Sequence, residues 1–194
     1  MKLEHAIATD DPATNADLIW ETDPEMCRFV FRDRQTWHRY CAIKWRAAAG
    51  LHTYSTAMVA RLEREIVGLV IAYPQTEMIG RFAATVARYE TDVGQRMEAV
   101  GWLFPVLQEN TLLVFNLAVS QSLRGQGIGC LLLSETEQQA QRAVLTTVHL
   151  DVPTTSPAVK FYERLGYGKL TKTNLLEPMT NIPPHFRMYK HLSQ

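Results

Sequence analysis

Along the first half of the chain the apolar positions change period repeatedly, and each change marks an element. "KLEHAIA", Lys2 to Ala8, alternates and predicts an opening strand, after which Asp10 and Asp11 ahead of Pro12 predict a helix start. From Arg34 to Ala49, the residues Trp37, Cys41, Trp45 and Ala48 recur at spacings of four and three. That spacing places them on one helical face, with Gly50 as its C-cap. "YSTAMVARLEREIVGLVIAYP", Tyr54 to Pro74, holds two runs rich in Val, Ile and Leu around the polar "EREI" and predicts a hairpin. Between Gln75 and Asn110, Phe82, Val86, Tyr89, Val93, Met97 and Val100 keep helical spacing despite Gly94, which predicts one further helix.

The second half is marked more sharply. "TLLVFNLAV", Thr111 to Val119, is a continuous apolar run and predicts a buried strand; "CLLLSETEQQAQRAV", Cys130 to Val144, predicts a helix; "TTVHLDV", Thr146 to Val152, predicts the next strand. In "SPAVKFYERLGYG", Ser156 is a cap, Pro157 fits the first turn and Gly166 is a stop. Gly168 to Thr173 and Phe186 to Leu192 predict two closing strands joined by a loop that contains Pro183 and Pro184. No repeat or linker interrupts the series, so the expectation is one α/β (α+β) domain over residues 1–194.

Composition narrows the function classes. Hydrophobic residues at 46% and charged residues at 21% are those of an ordinary globular chain, which argues against disorder. Twenty Lys and Arg balance twenty Asp and Glu, so no global field favours nucleic acid or an anionic membrane, and neither is expected as a partner. The three cysteines, Cys27, Cys41 and Cys130, show no C-x-x-C spacing; a zinc site or disulfide framework is not indicated, no metal is expected, and a reducing cytoplasm fits. The longest apolar run, Ile66 to Tyr73, is too short to cross a bilayer, and "MKLEHAIATD" has charge where a signal peptide has its apolar centre.

The chemistry concentrates in "LAVSQSLRGQGIGCLLL", Leu117 to Leu133, with three glycines in five positions between a predicted strand and a predicted helix. A helix starting near Ile128 leaves its first N–H groups unpaired, and glycines before it let the backbone curl around an anion or let a ligand approach closely. A tight turn that uses glycine only for steric relief is the plainer alternative. Gly129 is followed by Cys130 and Leu131 rather than Lys and Ser or Thr, so the loop is not a P-loop. A G-x-G-x-x-G fingerprint read from Gly125 or Gly127 fails at Cys130 or Leu132 respectively.

Arg124-Gly125-Gln126-Gly127-Ile128-Gly129 resembles the R/Q-x-x-G-x-G/A loop of GNAT-type N-acetyltransferases, with "NLAV" before it in the place of their central strand. "SPAVKFYERLGY", Ser156 to Tyr167, is similar to that family's second segment, N-x-x-A-I-x-F-Y-E-K-L-G-F, and follows at the right distance with one strand between. The two motifs cover Thr111 to Tyr167. The resemblance implies the GNAT fold: a mixed, mostly antiparallel central sheet of about six to seven strands flanked by helices, splayed between the central strand and the next. It implies acetyl-CoA as cosubstrate, with the pyrophosphate on Arg124, Gly125, Gln126, Gly127, Ile128 and Gly129. The pantetheine arm would lie along Leu117, Ala118 and Val119, and the Val119 N–H would meet the developing oxyanion. Tyr162 aligns with the family's tyrosine acid, although Ala158, Phe161, Tyr162 and Leu165 also form one apolar helical stripe that could simply be core.

Two departures matter. The asparagine that often opens the second motif is Thr155, which can bond the cofactor or only help cap the helix. The strand that often carries a general-base glutamate offers only Asn116. The base is therefore unassigned: Glu77, Glu109 and Asp151 lie near predicted strand ends but read as surface acids, and His149 is a histidine on an unknown face of its strand. Cys130 reads as buried behind the loop, and Arg28, Arg32, Arg34 and Arg39 as a solvated helix face. The expected activity is acetyl transfer from acetyl-CoA to the primary amine of a small molecule or a protein. A CoA-binding module without catalysis and an acyltransferase for longer acyl groups are the alternatives. The long segment Gln75 to Asn110, with Trp102, Phe104 and Glu109, and the loop Asn174 to Pro184 are expected to border the acceptor site; the apolar stripe of that segment also suits a homodimer contact.

Overall fold

The structure, a computed structural model, describes residues 1–86, 91–101, 104, 107–173 and 182–193. Seven strands form one sheet in the order β1-β2-β3-β4-β5-β7-β6. These are β1 (Lys2–His5), β2 (Ala57–Leu62), β3 (Glu65–Pro74), β4 (Thr111–Val119), β5 (Thr147–Pro153), β6 (Gly168–Lys172) and β7 (His185–His191). All neighbours are antiparallel except β4 and β5, which run parallel. The expected mixed, mostly antiparallel sheet is therefore present, with seven strands.

Helices α1 (Pro12–Trp20), α2 (Pro24–Phe31), α3 (Arg34–Lys44), α4 (Gln75–Val86) and α5 (Thr91–Gly101) cover one face; α6 (Ile128–Arg142) and α7 (Ala158–Arg164) cover the other. Each face has its own apolar cluster. Phe31, Trp37 and Tyr40 centre the first, with Trp37 stacked on Tyr40 at 5.2 Å and its indole N–H donating to the Ala16 carbonyl at 2.8 Å. Leu132, Val148, Leu150 and Met188 centre the second. Among the described residues, no helix is long and apolar enough to cross a membrane.

Three sequence expectations are corrected. The helix read as Arg34 to Ala49 ends at Lys44, and Gly50 lies beyond its cap. The Lys44 ammonium is buried and donates to the Ala84 carbonyl, complementing the last turn of α4. Helix α2 went unread, although Asp23 ahead of Pro24 repeats the Asp11–Pro12 start signal; Asp23 caps it by accepting from the Met26 N–H. The single helix expected through the long segment is two, α4 and α5, and Tyr89 falls outside the described residues.

The α4–α5 segment is tied down by polar contacts the apolar spacing could not show. Arg81 donates to the Gly50 carbonyl, the Leu51 N–H donates to Thr85 Oγ1, and Arg96 donates to the Val30 carbonyl at 2.7 Å. Because Trp37 anchors α1, α2 and α3 together, Trp37→Ala should cost about 3–5 kcal/mol of unfolding free energy. Urea unfolding of the variant beside the wild type measures it.

Candidate active site

The pairing of β4 with β5 runs from Thr111–Thr147 to Val114–Leu150 and stops there, although β4 continues to Val119 and β5 to Pro153. On its other side β4 stays paired with β3 to Val119–Gly68, with one irregularity: Ile71 opposes Asn116 and Ala72 opposes Val114, leaving Phe115 as the extra residue. A bulge turns the strand and places two successive side chains on one face. Phe115 and Asn116 accordingly both point toward α1–α3. Phe115 meets His52 and Tyr73, and the Asn116 amide donates to Thr22 Oγ1 at 3.2 Å.

Beyond the bulge the backbone of β4 is half-paired. The Ser120 N–H donates to the Val67 carbonyl of β3, so by strand alternation the amides of Leu117 and Val119 face the gap left by β5. The expected splay is thus a register fact, and it exposes the backbone that sequence reasoning singled out.

The glycine loop closes one end of the gap. Gly125 and Gly127 adopt φ of +79° and +83°, in the left-handed region where a side chain is strained, and a Cβ at either would meet nothing within 4 Å. Turn geometry therefore requires both glycines, and the space in front of them is open. Gly129 has ordinary helical backbone, and a Cβ there would meet Phe161 Cζ at 3.4 Å, an ordinary contact distance. Helices α1, α2 and α3 each begin with an aspartate that accepts from their first amides, whereas α6 begins at Gly127 with no side-chain cap. Its first N–H groups and positive dipole end are left facing the loop, an arrangement suited to a phosphate. Arg124 folds back, donating to the Val119 carbonyl at 3.1 Å.

Loop, gap and helical layer open into one cavity of about 830 Å³. Leu117, Ala118, Val119, Arg124, Gly125, Gly127, Ile128, Gly129 and Tyr162 line it; Gln126 and Thr155, expected beside them, do not, and both are exposed. Cys130 is exposed and borders the cavity, which corrects its reading as a buried residue. Tyr162 is packed against Phe161 and Tyr167, and burial pushes its phenol above the ordinary value. Among the described residues nothing hydrogen-bonds its hydroxyl. The ring of Tyr162 thus packs in the core while the residue borders the open space.

The acids separate. Glu77 pairs with Arg81 on the surface, and Glu109 is exposed and outside the cavity wall. Asp151 does border the cavity but is held by Arg187, with Nη2 2.7 Å from Oδ2; burial pushes its carboxyl up against the pull of that guanidinium. Phe104 lines the cavity as expected, whereas Trp102 and residues 174–181 fall outside the described residues. His149 is buried on β5 away from the cavity, with Nδ1 unbonded, and burial lowers its pKa to about 4.

Sequence reasoning missed His52, Asp23 and His185. His52 borders the cavity with Nδ1 2.9 Å from the Tyr40 hydroxyl, and burial lowers its pKa to about 3. Nearby Asn116 partly opposes that shift, although Asn116 Oδ1 is buried without a hydrogen bond of normal geometry. Asp23 Oδ2 and His185 Nε2 lie 2.7 Å apart, joining the start of α2 to the start of β7 across 162 residues of sequence. Only the Asp23–Pro24 helix-start signal could have pointed to any of the three.

The sequence model of the acetyltransferase (GNAT) family matches residues 16–167, and the chain belongs to the GNAT acetyltransferase family. Members of that family transfer an acetyl group from acetyl-CoA. No curated protein matches the sequence closely enough to count as a relative. An N-acetyltransferase from Staphylococcus aureus has the same fold, with a TM-score of 0.78 at 15% identity over 98% of this chain and 100% of that one. A second acetyltransferase gives 0.68 at 16% over the whole of both chains. An IAA acetyltransferase from Bacillus cereus gives 0.57 at 14% over 98% of this chain and 99% of that one. At these identities the likeness is one of fold.

His52 and His149 are both held neutral, so the unfolded chain takes up protons that the folded one refuses. Their contribution is complete above pH ~6.5 and is lost as pH falls toward about 3 and about 4, at about 1.4 kcal/mol per pH unit for each group. Urea unfolding between pH 7 and pH 5 should show stability falling less steeply in His149→Asn than in the wild type.

Proposed function

We propose that this chain is an acetyl-CoA-dependent N-acetyltransferase that acts on a primary amine. The observation that supports the reading is that three features border one cavity: the uncapped start of α6 on its glycine loop, the gap-facing amides of Leu117 and Val119, and the side chain of Tyr162. Acetyl-CoA supplies the activated thioester, whose carbonyl carbon exchanges its bond to sulfur for one to the amine nitrogen.

The chain's residues have distinct duties in this reading. Amides of Gly125, Gly127, Ile128 and Gly129 with Arg124 hold the pyrophosphate, and Leu117, Ala118 and Val119 present a strand edge to the pantetheine arm. The Val119 N–H donates to the carbonyl oxygen as negative charge develops on it. Tyr162, kept protonated by burial, donates its proton to the departing sulfur. Gln126 and Thr155 have no part in the cavity wall and are left to shape the loop and the turn before α7. The described carboxylates that border the cavity are each paired, Glu21 with Arg34, Asp23 with His185 and Asp151 with Arg187, so the amine loses its proton to water. A cytoplasmic setting belongs to this reading, in keeping with three unpaired cysteines.

Asn116, in the strand position where the family often carries a carboxylate, favours a second reading in which the chain binds coenzyme A without turnover. One experiment separates the two. Thiol release from acetyl-CoA with an amine panel should be slowed about 100-fold or more in kcat by Tyr162→Phe, with acetyl-CoA affinity by calorimetry unchanged. Binding without turnover in the wild type would favour the second reading. Gly127→Val, strained at φ +83°, should weaken acetyl-CoA binding at least tenfold in the same calorimetric measurement.

A further inference from the structure

We infer that the acceptor is a primary amine carried on an apolar body, such as an aryl-alkyl or alkyl chain, and that its ammonium end is met by the Asp23–His185 pair. The inference rests on the acetyl-transfer reading above and extends it to the substrate class.

The cavity is chemically two-sided. Its only Arg and Lys side chains among the described residues are Arg124 and Arg164, on the glycine loop and α7, at the end assigned to the anionic cofactor. Among the described residues, the half beneath the helices has none. Its wall is built by Leu18, Val30, Met78, Phe82, Met97 and Val100, drawn from α1, α2, α4 and α5 and continuous with the apolar cluster of that face. The neighbouring cations are already committed: Arg187 is 1% exposed and clasps Asp151, and Arg96 holds the Val30 carbonyl and Asp92.

A substrate carboxylate in this half would lose its water and gain no cationic partner, a heavy penalty. A second ammonium, as in a polyamine, would meet thioether and hydrocarbon, since Glu21, the other carboxylate on this wall, is already ion-paired with Arg34. Apolar surface is what the wall can repay. Yet the half is not featureless, because Asp23 and His185 border it. The pair brings one carboxylate, and no Arg or Lys side chain, to this wall. Asp23 also caps α2 through Oδ1, which fixes the Oδ2 that faces His185. The other groups facing the pair are Asp151 and Arg187, which neutralise each other, and the ring of Phe104, 5.5 Å from that of His185. The site thus accepts one positive charge at one end of an otherwise apolar volume.

The test is thiol release from acetyl-CoA with 2-phenylethylamine, hexylamine, phenylalanine, lysine, spermidine and a short peptide with a free N-terminus. Phenylethylamine and phenylalanine share ring and amine and differ by one carboxylate. The expected result is a kcat/KM at least 100-fold higher for phenylethylamine than for phenylalanine or spermidine. Asp23→Asn, which keeps the capping ability at the start of α2, should raise KM for phenylethylamine at least tenfold and leave acetyl-CoA affinity unchanged. Phe82→Ala should lower kcat/KM for phenylethylamine about tenfold and leave spermidine unaffected. Preference for phenylalanine, lysine, spermidine or the peptide would overturn the inference while leaving acetyl transfer intact; acetyl-CoA binding with no turnover of any amine would overturn both.

Discussion

Everything functional in this molecule depends on the parting of two parallel strands. β4 and β5 are joined by four residue pairs and then separate; the bulge at Phe115 follows the last of these pairs, where β4 turns and shifts its register by one residue while staying paired with β3. A fully paired central sheet would satisfy every backbone group and leave no room for a ligand. Here the unpaired edge of Leu117 and Val119 is kept out of the core by facing a cavity, so the groups that cost most to bury are the ones available to bind.

The same economy appears at the helix ends. Asp11, Asp23 and Asp33 satisfy the first amides of α1, α2 and α3, whereas α6 begins at a left-handed glycine without a side-chain acceptor. The contrast within one chain shows that the bare terminus is a feature of the loop rather than of helices in this protein generally. Close packing supports it from behind: a Cβ at Gly68 would lie 3.1 Å from the Ala118 carbonyl and 3.3 Å from Ile128, so a glycine in β3 is what lets the start of α6 settle against the sheet.

Beneath the helical layer, several polar groups are paired, although Asn116 Oδ1 and the Tyr73 hydroxyl are buried without a partner. The Asp151–Arg187 and Asp23–His185 pairs tie β5 and α2 to β7, and His52 leans on Tyr40. Two buried imidazoles with depressed pKa values are a stability cost below neutral pH that packing elsewhere must offset. The long segment after β3 lies over this region as two helices fastened by Arg81, Thr85 and Arg96, so the apolar half of the cavity is walled by residues that belong to the fold's own core cluster.

The glycine loop, the strand before it and the helix carrying Tyr162 were legible in the sequence because local rules decide them: backbone angles at Gly125 and Gly127, a continuous apolar run in β4, and the Ala158 N–H donating to Ser156 Oγ at the head of α7. The family resemblance of those segments extended the reading to a whole fold. What local rules could not decide were pairings across long stretches of chain. The Asp23–His185 contact, the sharing of a face by Phe115 and Asn116, the division of the long helical segment and the exposure of Cys130 all depend on which element lies against which. Periodicity tells a residue's face on its own element, and only packing tells what that face meets.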